Sequence, residues 1–198
     1  MRITGGKYKN RRIIVQDDGI KAAFKPTTDK LRQAIFNIIA SHPDLPYDFL
    51  MSANVLDLCC GSGSFGLEAL SRGAKAATFI DISQSSLEIC RKNIIALDEL
   101  DAAQCILSNI SDLKKAPSSY EVIFLDPPYR NTTLILKALF ALVAGGWVAY
   151  DNFIVVEHCA TEHIPLQLLE NFKLLMTRTY GGSAITILRL VTPLTTGN

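Results

Sequence analysis

The apolar positions of this 198-residue chain change period along its length, and the changes mark its elements. Arg2-Ile3-Thr4-Gly5-Gly6 and Arg11-Arg12-Ile13-Ile14-Val15 flank the polar turn Lys7-Tyr8-Lys9-Asn10 and predict a short hairpin. A lone hairpin is marginal, so it must lean on a larger body. Lys25-Pro26-Thr27-Thr28-Asp29 predicts a helix start, with Thr or Asp to cap it. Leu31, Ala34, Ile35 and Ile38 then recur at helical spacing, which places Lys30 and Arg32 elsewhere on the helix surface. Pro43 and Pro46 end that pattern.

From Asn54 the pattern becomes strand, helix, strand. Val55-Leu56-Asp57-Leu58 predicts a short buried strand, and Gly61-Ser62-Gly63-Ser64-Phe65-Gly66 opens a helix over 65–72 that Gly73 stops. Ala77 to Asp81 predicts a second strand, Ser86 to Leu97 a second helix and Cys105 to Leu107 a weaker third strand. Glu121 to Asp126, Thr132 to Val143 and Phe153 to Glu157 continue as strand, helix and strand. Lys173 to Tyr180 and Ser183 to Leu190, joined by Gly181-Gly182, predict an antiparallel hairpin. Alternating units of this kind imply a doubly wound α/β fold: a mostly parallel, seven-stranded sheet, helices on both faces and one reversed strand at the C-terminal end. The expected organisation is a basic hairpin extension over 1–24 and a single main domain over 25–198.

Composition adds two constraints. No apolar run approaches the roughly 18 residues of a membrane span. The five cysteines (59, 60, 90, 105, 159) include no CxxC pair, so reduced thiols of a cytoplasmic protein are expected, with no metal site. Charge is uneven. Residues 1–32 hold nine Lys/Arg against three Asp, while the remainder carries an acidic excess. A basic arm on an acidic body points to a phosphate-rich partner.

Gly61-x-Gly63-x-x-Gly66 between a strand and a helix is a nucleotide-loop pattern, weak alone. Asp81, at the tip of the following strand, can bind a ribose diol. A nicotinamide dinucleotide or S-adenosylmethionine satisfies both features. Asp57 shifts the balance to the second, because at its strand end it can meet an amino-acid ammonium, which a dinucleotide lacks; its bland role is to brace the loop. Asn109, past the third strand, can bond an adenine amine or simply form a turn. At Leu125-Asp126-Pro127-Pro128-Tyr129 two prolines end a buried strand in a stiff turn, with an acid on one side and an aromatic on the other. Such a turn can hold a flat, amine-bearing ring.

Asp57-Leu-Cys-Cys-Gly61-Ser-Gly63, Asp81 and Asp126-Pro-Pro-Tyr129, in that order, resemble a class I S-adenosylmethionine-dependent amino-methyltransferase. Arg2-Ile-Thr-Gly5-Gly6-Lys7-Tyr-Lys9, Lys25-Pro26-Thr27-Thr28-Asp29-Lys30-Leu31-Arg32 and Gly66-Leu-Glu-Ala-Leu-Ser-Arg-Gly73 narrow the resemblance. They are similar to the bacterial 16S ribosomal RNA guanine-N2 methyltransferases that modify guanine 966. That family implies action on 16S RNA of the small subunit with S-adenosylhomocysteine as product; a monomer is expected. It implies that Asp126 and the Pro127 carbonyl accept the hydrogens of the guanine amine while Tyr129 stacks the base. Lys7, Lys9, Arg11, Arg12, Lys25, Lys30 and Arg32 then read as phosphate contacts. The sequence departs from the family at Cys59-Cys60 (more often Phe-Ala), Asp81 (Glu), Asn10 (Gly) and Gln33 (Glu). An adenine-N6 or protein-glutamine methyltransferase, a dehydrogenase and a non-catalytic RNA-binding module are the competing readings.

Overall fold

The computed structural model describes residues 1–15, 28–128 and 131–191; Lys25 and Tyr129 lie outside the described residues. Seven strands form one sheet: β1 (Asn54–Leu58), β2 (Ala76–Asp81), β3 (Ala103–Leu107), β4 (Tyr120–Leu125), β5 (Val148–Cys159), β6 (Phe172–Tyr180) and β7 (Ser183–Leu190). Their order is β3-β2-β1-β4-β5-β7-β6. The first five run parallel, and β7 pairs antiparallel with both β5 and β6. The terminal hairpin therefore inserts its second strand beside β5, which is the one reversed strand the Gly-Gly turn implied. The chain order reverses between β1 and β4, and ligands of open α/β sheets bind beyond the strand ends at such a point.

Alternation along the central strands builds two cores. Val55, Val122, Phe124 and Phe153 face one side, with α1 (Asp29–Ser41), α3 (Ser64–Ser71) and α4 (Gln84–Ala96) packed over them. Leu56, Leu58, Ile123, Leu125 and Ile154 face the other, covered by α5 (Thr132–Ala144). A short helix, α2 (Phe49–Ser52), which the sequence pattern did not announce, leads into β1. On the first face Phe65 is stacked between Phe36 and Phe124, with centroid separations of 4.8 and 4.1 Å. This column fixes the start of α3 against β4 at Phe124, two residues before Asp126. The other boundaries lie within a few residues of the pattern, except that β5 begins at Val148.

The N-terminal segment departs from expectation. Instead of two strands it makes one antiparallel bridge, Arg2 to Arg12, with Ile3 N–H donating to the Arg11 carbonyl at 3.0 Å. Asn10 N–H to the Ile3 carbonyl (2.9 Å) and Ile13 N–H to the Met1 carbonyl (3.1 Å) complete this short pairing, and attachment to α3 supplements it. Ile3 and Ile13 are buried in the first core. Between them, Lys7 N–H donates to the Ser71 carbonyl at 2.7 Å, and Ser71 Oγ donates to the Gly5 carbonyl at 2.6 Å. Gly6 has φ +76°, and a Cβ there would fall 1.8 Å from the Ser71 carbonyl oxygen, so no other residue allows this approach. Asn10 stands where the family resemblance expects Gly; its φ of 71° lies in the left-handed region that Asn tolerates, so the turn is kept.

Arg32 requires a correction. Far from lying on the surface as a phosphate contact, it is completely buried. Its Nε donates to Glu68 Oε2 at 3.2 Å, and its Nη2 bonds Asp29 at 2.9 Å and the Arg2 carbonyl. Glu68, also fully buried, accepts from Thr4 N–H (2.7 Å), Thr4 Oγ1 (2.6 Å) and Arg72 Nε (2.9 Å) as well. One carboxylate thus fastens the N-terminal segment, α1 and α3 together. Removing one member of a buried ion pair strands the other, so Glu68→Ala should cost about 3–5 kcal/mol in denaturant unfolding. A loss below about 1 kcal/mol would mean the network is only a surface-like contact.

Candidate active site

The loop between β1 and α3 is held in a high-energy conformation. Cys59, Gly61 and Gly63 all have positive φ (56°, 52° and 78°), and Cys59 pays the penalty that glycine avoids. Close packing explains two of the glycines. A Cβ on Gly63 would meet Cys90 Sγ at 2.5 Å, and one on Gly66 would meet the Phe79 ring at 2.4 Å. Gly61 differs, since a Cβ there would point into open space; its glycine serves the left-handed turn alone.

Two carboxylates shape this loop. Gly63 occupies the N-cap position of α3 and has no side chain to cap with. Asp57 supplies the cap from β1, its Oδ2 accepting from Gly66 N–H at 2.9 Å at the positive end of the helix. Asp57 is almost fully buried, and burial pushes its pKa from 3.8 to about 8; the Gly66 N–H and Arg32 oppose the rise and Asp81 adds to it. Asp81 accepts Gly61 N–H at 2.9 Å and Ser83 N–H at 2.8 Å, which joins the loop to the start of α4. A carboxylate offers about four lone-pair sites, so these two bonds orient Asp81 and leave acceptor capacity for a diol.

Asp126 follows β4, its N–H donating to the Leu58 carbonyl at 3.3 Å, and Pro127 behind it is buried. Cys59 shows how closely the acids gather. Its thiol is pushed far upward by burial and then by the negative fields of Asp81, Asp126 and Asp57. It is a neutral wall group and no nucleophile. Asp57 bonded to Gly66, Asp81 bonded to Gly61 and Asp126 anchored at Leu58 gather three acidic groups from three strand ends around one loop. With Asp57 able to ionise beside a cation, such a cup suits a cation better than an anionic pyrophosphate.

Asn109 is engaged in the turn that is its alternative reading. It is exposed, and its Oδ1 accepts from both N–H and Oγ of Ser111 at 3.0 and 2.9 Å, which occupies both lone pairs. Sequence reasoning passed over Ile82, which is 70% exposed immediately beyond Asp81 and offers an apolar surface beside the carboxylate. Its signal was an apolar residue just past a strand end. The three histidines lie in ordinary places: His158 is buried against Thr186 at 2.9 Å, His42 packs edge-on to Phe153 and His163 is exposed.

Residues 1–189 match the family described as Conserved hypothetical protein 95. The chain belongs to this family of class I S-adenosylmethionine-dependent methyltransferases. Ribosomal RNA small subunit methyltransferase D of Escherichia coli is 32% identical over 83% of this chain and 78% of its own length. The Buchnera aphidicola protein of the same name is 33% identical over 79% and 75%. The putative rRNA methyltransferase YlbH of Bacillus subtilis is 32% identical over 94% and 97%. Among solved structures, the putative methyltransferase yhhF from Escherichia coli superposes with a TM-score of 0.76 at 30% identity, covering 95% of this chain and 96% of that one.

Membership accounts for the charge of the cup. The methyl donor of class I methyltransferases carries a sulfonium and an ammonium beside a ribose diol, and Asp57, Asp81 and the left-handed loop fit those groups. In this family member Asp57 keeps its proton up to about pH 8 in the free protein. A nearby ammonium favours the carboxylate, so donor binding should release a proton, and affinity should rise with pH until about pH 8 and level off above it. Calorimetry in buffers of different ionisation enthalpy measures that proton. Asp57→Asn, which can still accept from Gly66, should bind at least tenfold more weakly and lose this proton's release. Unchanged proton release in the variant would assign the titration elsewhere.

Proposed function

We propose that this protein transfers a methyl group from S-adenosylmethionine to the exocyclic N2 amine of a guanine in 16S ribosomal RNA, at guanine 966 of the small subunit. The observation that carries the reading is the placement of Asp57, bonded to Gly66, Asp81, bonded to Gly61, and Asp126, anchored to Leu58 at the end of β4, around one loop, with the stiff Pro127-Pro128 turn directly after Asp126. The names of the ribosomal RNA methyltransferases among its relatives support the RNA substrate. The sequence resemblance supports the guanine.

Asp57 would face the donor's amino-acid ammonium, Asp81 its ribose and Ile82 its adenine ring. When bound, the donor supplies an electrophilic methyl on sulfur. A guanine amine is a poor nucleophile because its lone pair is conjugated with the ring. Asp126 and the Pro127 carbonyl, accepting its two hydrogens, would let the nitrogen pyramidalise and aim its lone pair, and the Asp126 charge would offset the positive charge that develops there. Tyr129 would stack the base, which must leave its helix to reach the turn.

The basic arm is smaller than its charge count. Arg32 is buried and serves the fold, while the exposed Lys7 pairs with Glu99 at 2.7 Å and the exposed Arg11 bonds the Ala96 carbonyl at 2.8 Å. Lys9, Arg12 and Lys30 are exposed and remain as phosphate contacts. Lys9, Arg12 and Lys30 all changed to Ala should reduce the slope of log affinity against log salt by about two; an unaltered slope would place the RNA elsewhere.

The deciding experiment offers methyl-labelled S-adenosylmethionine with unmodified small-subunit RNA and with assembled particles, then maps the labelled base. Label on a guanine N2 is expected, and label on adenine N6 would replace the guanine reading. Asp126→Ala should lower turnover by at least about 100-fold with donor affinity nearly unchanged. Full turnover in that variant would remove the role given to Asp126.

A further inference from the structure

Asn93 lies on α4, outside both the loop and the N-terminal segment, and is 2% exposed. Its Oδ1 accepts from Ile14 N–H at 2.8 Å, and its Nδ2 donates to the Ile14 carbonyl at 2.8 Å and to the Ser62 carbonyl at 3.0 Å. The side-chain amide therefore pairs with both backbone groups of Ile14, as a neighbouring strand would. It spends its other N–H on the residue between Gly61 and Gly63. Both amide hydrogens and the oxygen are used.

The two partners belong to the two halves of the proposed site. Ile14 closes the basic segment, and its side chain is 53% exposed, so at this point the segment is held by its backbone. Ser62 sits in the left-handed turn where a side chain on Gly61 would meet only open space. The inner edge of that turn is fixed by Gly63 N–H to the Cys60 carbonyl at 2.8 Å and by Gly61 N–H to Asp81, whereas the Ser62 carbonyl is tied through Asn93. Displacing Ile14 would cost Asn93 two hydrogen bonds and release the amide that orients Ser62.

We infer that Asn93 is a positioning residue that couples the N-terminal arm to the cofactor loop, so that RNA held by the arm and donor held by the loop strengthen one another. The inference rests on the proposed function for the identity of the two ligands, and on geometry alone for the tie between arm and loop. Binding linkage is reciprocal, so either ligand should report it.

The test is a double-mutant cycle between Ile14→Pro, which removes the N–H donated to Asn93, and Asn93→Ala. In the Asn93 chain, Ile14→Pro should weaken S-adenosylmethionine binding about 5- to 15-fold, the worth of a buried hydrogen bond. It should raise the KM for the donor with kcat at saturation unchanged, although residue 14 is not in the loop. In the Asn93→Ala chain, itself weakened to a similar extent, Ile14→Pro should have no further effect. Asn93→Asp, which keeps the acceptor for Ile14 N–H and loses both donors, should match Asn93→Ala in donor affinity. Additive effects, or an undisturbed donor affinity in Asn93→Ala, would overturn the coupling. A wild-type chain that binds no donor would instead overturn the functional reading. The tie would then be decided by hydrogen exchange at the Gly63 amide without ligand, which Ile14→Pro should accelerate only when Asn93 is present.

Discussion

The carboxylate of Glu68 holds together parts of the chain that share no regular secondary structure. It is buried on a short helix and accepts from the Thr4 backbone, the Thr4 hydroxyl, Arg32 and Arg72. A charge in such a place is tolerable only when fully paired, and the pairing draws its partners from three segments. The N-terminal residues are thereby pinned to the C-terminal half of α3, and α1 is pinned over its flank. Gly5 and Gly6 are the steric side of the same arrangement. A Cβ on Gly5 would strike the Arg72 guanidinium at 2.5 Å, and one on Gly6 would strike the backbone of Ser71.

What Glu68 does at one end of α3, Asp57 does at the other. Helix α3 spans only Ser64–Ser71, so its two ends are little more than two turns apart. The first end carries the strained loop, capped by a carboxylate from the strand beneath. A buried cap of this kind is not chosen for stability. Its pKa of about 8 means that, between about pH 4 and 8, the folded chain holds a proton the unfolded chain has released, so stability falls as pH rises through that window. A cation brought to the loop relieves this cost. The loop is therefore poised for a positively charged ligand by the same burial that makes it unfavourable alone.

Much of the fold was legible because it rests on period. Short apolar strands spaced by helices, then a Gly-Gly hairpin, lead to the parallel sheet with one reversed strand, and the glycines at 61, 63 and 66 with Asp57 and Asp81 mark the loop. The misreadings share one cause. A charge in a sequence has no address, and Arg32 was counted with the surface cations because Lys30 and the arm lie near it in the chain. The correcting signal was present: Ile35, Phe36 and Ile39 stand three, four and seven positions beyond Arg32, on its own face of α1, and all are buried. Glu68 was hidden in the same way among Leu67, Ala69 and Leu70. Asn93 carried no signal, because its partners are backbone groups 79 and 31 residues away.

These placements change what the family-specific stretches mean. Thr4-Gly5-Gly6-Lys7 and Asp29-Lys30-Leu31-Arg32 invite a nucleic-acid reading because they are basic and sit together near the N-terminus. In the structure Thr4 and Arg32 are consumed in the Glu68 network, Gly5 and Gly6 lie against Ser71, and Lys7 turns to Glu99. Part of the charge asymmetry is thus architecture. The remaining exposed cations gain from it, because an arm fixed at Ser71, Asn93 and Glu68 presents Lys9 and Arg12 without the entropy cost of ordering a free tail. The contacts that use up some of the arm's charge also hold Lys9 and Arg12 at a defined place relative to the loop between β1 and α3.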